Sequence, residues 1–283
     1  MLLQFIFTLV FSIQCYPLQP GGLIAFQALL LGLTDPYHVL HEIESNLEVI
    51  LLLVFMVSAI FFMKNLLMVI FTKLLQRVKS KILLSLLFVI SAAFLSAFLD
   101  ALTVTAVLIT VMVGFYHTFE RSFKNNEINE NEFEQVKSFL TDIMMHGAVG
   151  TALGGVCTIV GEPQNLLIAD KAGWEFMEFF YKMAPVTMPV LFAGLICCVL
   201  IEKFKVFSYG HQMTDELRSK IIVNAEKVDA ERTDMEKLHL VFEAMLGLCL
   251  IFALGLHLAP VGIIGLFLMA VSYTHLTLPT IFA

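Results

Sequence analysis

Apolar residues come in long blocks along this chain, separated by short polar stretches. A membrane helix needs about 20 mostly apolar residues to cross some 30 Å of hydrocarbon. Blocks at 1–16, 21–34, 47–72, 82–116, 139–170, 184–202 and 238–258, with 261–272 after them, meet or approach that length. The 82–116 block is the informative one, because its 35 residues are too many for one span and barely enough for two. Either it makes two crossings with a turn at Asp100, or it forms a re-entrant hairpin with Asp100 near the midplane.

The charges between the blocks set an orientation. Segment 35–46 carries Asp35, Glu42 and Glu44 with no Lys or Arg, whereas 73–81 carries Lys73, Arg77, Lys79 and Lys81 with no acid. The positive-inside rule places the first outside and the second in the cytoplasm. Segments 117–138 and 203–237 also carry bases, so both are expected in the cytoplasm. Block 82–116 must then leave the cytoplasm and return, 139–170 crosses outward, and 184–202 returns. Linker 203–237 holds seven bases and seven acids at helix-compatible spacing and is expected to be a solvated amphipathic helix joining two membrane halves.

Composition narrows the class. With 59% hydrophobic residues and a mean hydropathy of +0.87, the chain is not a soluble globular enzyme. Segments 117–138 and 203–237 hold 22 of the 41 charged side chains. The bases neither exceed the acids nor form one stripe, which excludes a nucleic-acid partner. The five cysteines lie in or beside apolar stretches without zinc or CxxC spacing and are expected to be free thiols. Met1 leads directly into Leu-Leu-Gln-Phe-Ile-Phe without a basic n-region, so the chain is expected to begin inside a hydrophobic helix.

Two stretches carry candidate chemistry. The first is Ser96-Ala97-Phe98-Leu99-Asp100-Ala101-Leu102-Thr103. An ionised carboxylate in hydrocarbon costs several kcal/mol, so a residue such as Asp100 pairs, binds a cation or stays protonated. The plain alternative is a turn residue at the outer surface that caps the next helix. Thr103 is either a capping partner or a hydroxyl ligand beside the same site, and Ser96 is expected to bond back within its own helix.

The second stretch runs from Gly147 to Leu166 and includes Gly150, Gly154, Gly155, Thr158, Gly161, Glu162, Pro163 and Asn165. Five glycines and a proline within 17 residues do not sustain a straight helix. A broken helix is expected, with Gly154-Gly155 and Gly161 bracketing an unwound stretch and Pro163 in the first turn of the restarted half. Close packing through Gly147, Thr151 and Gly155 is a second reading that can coexist with the first. Free carbonyls, hydroxyls, the Asn165 amide and the carboxylates of Asp100 and Glu162 form an oxygen-rich set that suits sodium or a proton and disfavours an anion.

Other signals are weaker. His38-Val39-Leu40-His41-Glu42 is HxxHE instead of HExxH and is not expected to bind metal. His146 and His257 are expected to be neutral, hydrogen-bonded residues, and Lys64 with Asn65 to line the bundle or snorkel. No phosphate loop, nucleophile elbow or paired-cysteine motif is present, so the chain is not expected to be an enzyme or to hold a cofactor.

The runs SAFLDALTVTAVLI at 96–109, GGVCTIVGEPQNLLIA at 154–169 and NLEVILLLVFMV at 46–57 resemble the NhaB family of sodium/proton antiporters. Residues 15–22 and Lys171-Ala172-Gly173-Trp174 fit the same family, and the likeness covers roughly residues 1–271. More distantly, the Leu-Asp-x-x-Thr and Gly-Gly-x-x-Thr-x-x-Gly-x-Pro-x-Asn patterns are similar to those of the wider ion-transporter superfamily.

The resemblance implies an all-α polytopic protein of the bacterial inner membrane, built as inverted repeats that each pair a re-entrant hairpin with a broken helix. It divides the chain into a first repeat (1–202, with hairpin 82–116 and broken helix 139–170), a cytoplasmic linker (203–237) and the start of a second repeat (238–271). The family continues beyond this point, so half of the implied site is expected to lie outside the chain, and 272–283 is expected to be a foreign tail. The implied partners are the lipid bilayer, the transported Na+ and H+, and room for a homo-oligomer. Asp100 is implied as the exchanging carboxylate, with Thr103, Gly155, Thr158, Gly161, Glu162 and Asn165 around it. The competing readings are a sodium-coupled carrier of dicarboxylate or arsenite type and an inactive fragment.

Overall fold

The computed structural model describes residues 18–45, 64–99, 101–207, 209–211, 232–256, 263–267 and 269–271, with scattered single positions elsewhere. Among these the chain is helical, without strands. It forms two compact units, Met1–Ile50 and Leu51–Ala283.

In the first unit, helix α1 spans Leu18–Leu30 and α2 spans Pro36–Ser45. Gly32 takes the left-handed φ of 67° in the turn between them. Asp35 starts α2 by accepting the His38 N–H at 2.8 Å. The acidic stretch expected as an outer loop is therefore largely helical, and α2 buries none of its residues.

The second unit contains α3 (Lys64–Arg77), α4 (Lys81–Phe98), α5 (Ala101–Lys124), α6 (Glu130–Gly155), α7 (Pro163–Ala172), α8 (Phe176–Phe204) and α9 (Asp234–Gly255). Their starts follow from local chemistry. Ser80 caps α4 by accepting from the Leu83 N–H. Asn129 with Glu132 and Thr233 with Glu236 form capping boxes before α6 and α9. Gly173 closes α7 at a φ of 67°, and Lys205 closes α8 at 53°.

These caps move several expected borders. Helix α8 is longer than the 184–202 block and carries Pro185 and Pro189 inside it. Helix α9 begins at Asp234, within the stretch assigned to the linker, because Thr233 supplies the cap there. Most of 212–231 and all of 272–283, with the expectations made for them, lie outside the described residues, as does His257.

Helix α6 is the centre of the unit, packed against α4 along its length and against α5. Leu67, Phe71, Leu84, Phe88, Leu108, Phe119, Ile143 and Phe179 are fully buried between the helices. The outward faces are also apolar: Phe94, Ile109, Val190, Phe192, Ile196 and Phe252 are exposed. An outer surface of this kind matches hydrocarbon instead of water. Among the described residues, four helices, Lys81–Phe98, Thr103–Lys124, Phe176–Phe204 and Asp234–Gly255, are long and apolar enough to cross a membrane.

Candidate functional site

The 82–116 block resolves into two helices of 18 and 24 residues, about 27 and 36 Å long at 1.5 Å per residue. Helix α4 ends where Leu99 turns extended, with φ −123° and ψ 148°. Asp100 lies outside the described residues. Its neighbour Ala101 donates its N–H to the Gly161 carbonyl at 3.3 Å. The α4–α5 turn is thereby tied to the sequence-distant stretch after α6.

That stretch is irregular. Helix α6 stops at Gly155, residues 156–162 are non-helical, and Pro163 opens α7 at a position where its missing N–H costs nothing. The glycines before the break permit close approach: a Cβ on Gly150 would lie 2.5 Å from the Val89 carbonyl oxygen, and one on Gly154 would lie 1.9 Å from that of Ala93. Gly147 instead faces the Leu108 side chain on α5. The backbone contact with α4 thus runs through Gly150 and Gly154, while Gly147, Thr151 and Gly155 of the expected row meet Leu108, Thr105 and Ser96. Gly161 is also constrained, since its Cβ would meet the Gly155 carbonyl at 2.4 Å.

Side chains hold the break in shape. The Asn165 amide donates to the Gly155 carbonyl at 3.0 Å and to the Thr158 carbonyl at 2.8 Å. The Thr158 hydroxyl donates to the Ala97 carbonyl of α4 and accepts from the Gly161 N–H at 3.3 Å. Glu162 is the half-buried residue before α7; its carboxylate accepts from Gln164 and lies where a Cβ on Gly155 would be 3.1 Å from Oε1. Gly155, Thr158, Gly161, Glu162 and Asn165 are therefore brought together. Thr103 sits half-buried in the first turn of α5. An apolar cleft of about 640 Å³ borders the same stretch, lined in part by Ala97, Phe98, Gly154, Thr158 and Phe176.

Ser96 departs from its expected role. Its hydroxyl does not bond back within α4 but crosses to the Thr151 carbonyl of α6 at 2.7 Å. Thr105 on α5 meets the Thr151 hydroxyl at 3.0 Å. Hydroxyls from three helices thus join one turn before the break. Thr105 stood in the quoted 96–109 run, but its helical neighbours gave no hint of a partner 46 residues away.

A second polar group lies deeper along α6. Lys81 Nζ is 3.3 Å from Asp142 Oδ2 and 3.6 Å from Glu202 Oε1. Glu202 Oε1 also accepts from Ser85 Oγ at 2.7 Å and pairs with His146 Nε2 at 2.9 Å. The His146 ring packs against that of Tyr209 at 4.9 Å between centroids. Burial, with Asp142 and Glu202 nearby, pushes the Tyr209 phenol above its usual value. His146 has its expected hydrogen bond, but the rest of this group escaped the sequence: only the spacing of Asp142 and His146, one helical turn apart, signalled it. Asn65 also has a buried partner, since its amide reaches Glu243 Oε1 at 3.4 Å.

Long apolar helices with outward-facing apolar side chains, interrupted by a polar break, define a multi-pass membrane protein. The model of the bacterial Na+/H+ antiporter B family, NhaB, matches residues 1–280, and the chain belongs to that family. It is 51% identical to the Na(+)/H(+) antiporter NhaB of Shewanella halifaxensis over 98% of this chain and 56% of that protein. It is 50% identical to the protein of the same name from Yersinia enterocolitica, again over 98% and 56% of the two chains. For the Shewanella denitrificans protein, identity is 50% over 94% of this chain and 53% of the relative. The chain thus spans a little over half the length of these relatives. No solved structure matches it.

Proposed function

We propose that this chain forms the first repeat, and the start of the second, of an inner-membrane transporter that exchanges sodium for protons through competition at Asp100. The observation that carries the reading is the grip of Asn165 on the Gly155 and Thr158 carbonyls, which holds an oxygen-rich break against the α4–α5 turn that bears Asp100. Family membership and the names of the relatives support the same reading; nothing in them favours an anion carrier.

Burial raises the affinity of a carboxylate for its proton, and a sodium ion with oxygen ligands can replace that proton. Thr103, Glu162 and the oxygens of Gly155, Thr158 and Gly161 are the ligands proposed here, with Asn165 fixing the backbone that presents them. Either cargo neutralises Asp100, so the empty, charged site is the disfavoured one in transit, and exchange follows from a single site. In this reading α4 and α5 form a re-entrant hairpin whose tip meets the broken helix. Everted vesicles carrying the full-length gene product test it. Asp100→Asn is expected to abolish the collapse of a pH gradient on adding sodium; normal exchange by that variant would refute the reading.

A further inference from the structure

The group around Glu202 is separate from the break, nine residues and about 13 Å back along α6 from Gly155 at His146. Its charges do not balance. Lys81, Asp142 and Glu202 expose 6%, 7% and 0% of their side chains, so two buried carboxylates face one buried ammonium. Removing a net charge from water costs several kcal/mol, and the group returns to neutrality by gaining one positive charge.

The shortfall of donors falls on one atom. Glu202 Oε1 carries every contact given above, from Ser85, His146 and Lys81, whereas Oε2 is buried and meets no donor among the described residues. His146, also buried, is the titratable partner in direct contact with that carboxylate. A way in from water exists on the other side. His211, with 38% of its side chain exposed, bonds Asp142 through Nδ1 at 3.2 Å and through its N–H at 3.2 Å. His211, Asp142, Lys81, Glu202 and His146 form a line from the surface to the orphan oxygen. Cys198 and Tyr209 are the remaining titratable groups that feel this charge, and Lys203 and Lys205 are exposed.

We propose that Glu202 and His146 together hold one exchangeable proton, at a site distinct from the sodium site and opened to water through His211. Uptake takes a proton from hydronium, leaving water, and forms one N–H bond on His146; the imidazolium then donates through Nε2 to Glu202 Oε1. The buried charge falls from minus one to zero. Release recreates the naked carboxylate and loosens the tie between α8, α6 and the start of α4. The inference stands on this geometry and is independent of the role given to Asp100.

Magnetic resonance of isotope-labelled histidine in the sodium-free full-length protein, reconstituted in lipid nanodiscs, tests it. The His146 signal is identified by its loss in His146→Gln. The share of His146 present as imidazolium is followed as the pH is changed. Glu202→Gln is expected to lower the ratio of charged to neutral imidazole about tenfold or more, which is about 1.4 kcal/mol. Ser85→Ala is expected to lower that ratio by a smaller factor, because the carboxylate loses a donor that stabilises its ionised form and draws the shared proton from the imidazole. This smaller shift serves as the check if Glu202→Gln does not fold. His211→Gln and saturating sodium are both expected to leave the ratio unchanged. A His146 that stays neutral, a ratio indifferent to Ser85→Ala, or displacement of the proton by sodium would each overturn the proposal.

Discussion

Gly154 lies so close to Ala93 that a Cβ on it would stand 1.9 Å from the Ala93 carbonyl oxygen. Backbone cannot yield as a flexible side chain can, so Gly154→Ala must separate α4 from α6. We expect a loss of about 1–3 kcal/mol or more from overpacking, read as a lower melting temperature in detergent. Gly114→Ala is the control, since nothing lies within 4 Å of its Cβ. It is expected to be neutral or to stabilise α5 by up to about 1 kcal/mol through helix propensity.

Asn165→Ala leaves the Gly155 and Thr158 carbonyls without their donor. Losing the partners of buried polar groups costs about 1–3 kcal/mol each, so the break is expected to loosen and the melting temperature to fall. In vesicles the sodium concentration for half-maximal exchange is expected to rise. Asn165→Asp cannot donate and is expected to behave no better than Asn165→Ala; a wild-type sodium response in both would remove Asn165 from the site.

Thr158→Val keeps the side-chain shape and removes the hydroxyl that donates to Ala97 and accepts from Gly161. Each of the two bonds contributes about 1 kcal/mol to stability, so the melting temperature is expected to fall modestly and apparent sodium affinity to weaken with the protein still folded. Sodium titration of exchange rate, with melting temperature measured in parallel, separates this from a general loss of stability.

Glu243 joins α9 to α3. It is buried and accepts from the Leu66 N–H at 2.8 Å and from the Asn65 amide. Glu243→Ala strands both donors and is expected to cost about 1–3 kcal/mol, whereas Glu243→Gln retains an acceptor and is expected to cost less. Thermal unfolding of the two variants gives the comparison, and equal stability would show that the contact does not hold α9.

The interruption of α6 and the restart at Pro163 were legible because glycine and proline carry their backbone preferences with them. The transmembrane class was legible because hydropathy registers burial in lipid without needing a partner. Links between distant segments were hidden. Nothing local to Ser96 distinguishes a hydroxyl that bonds its own helix from one that reaches Thr151, and nothing local to Glu202 shows Lys81 and His146 beside it. Helix borders moved for a related reason: caps such as Thr233 with Glu236 are short polar signals, easily overridden in a reading that follows hydropathy.

Because Gly150 and Gly154 set the α4 backbone directly on that of α6, α6 contributes no side chain at these two positions to rotate, compress or slip. Any sliding of one helix past the other would have to part backbone from backbone at this crossing.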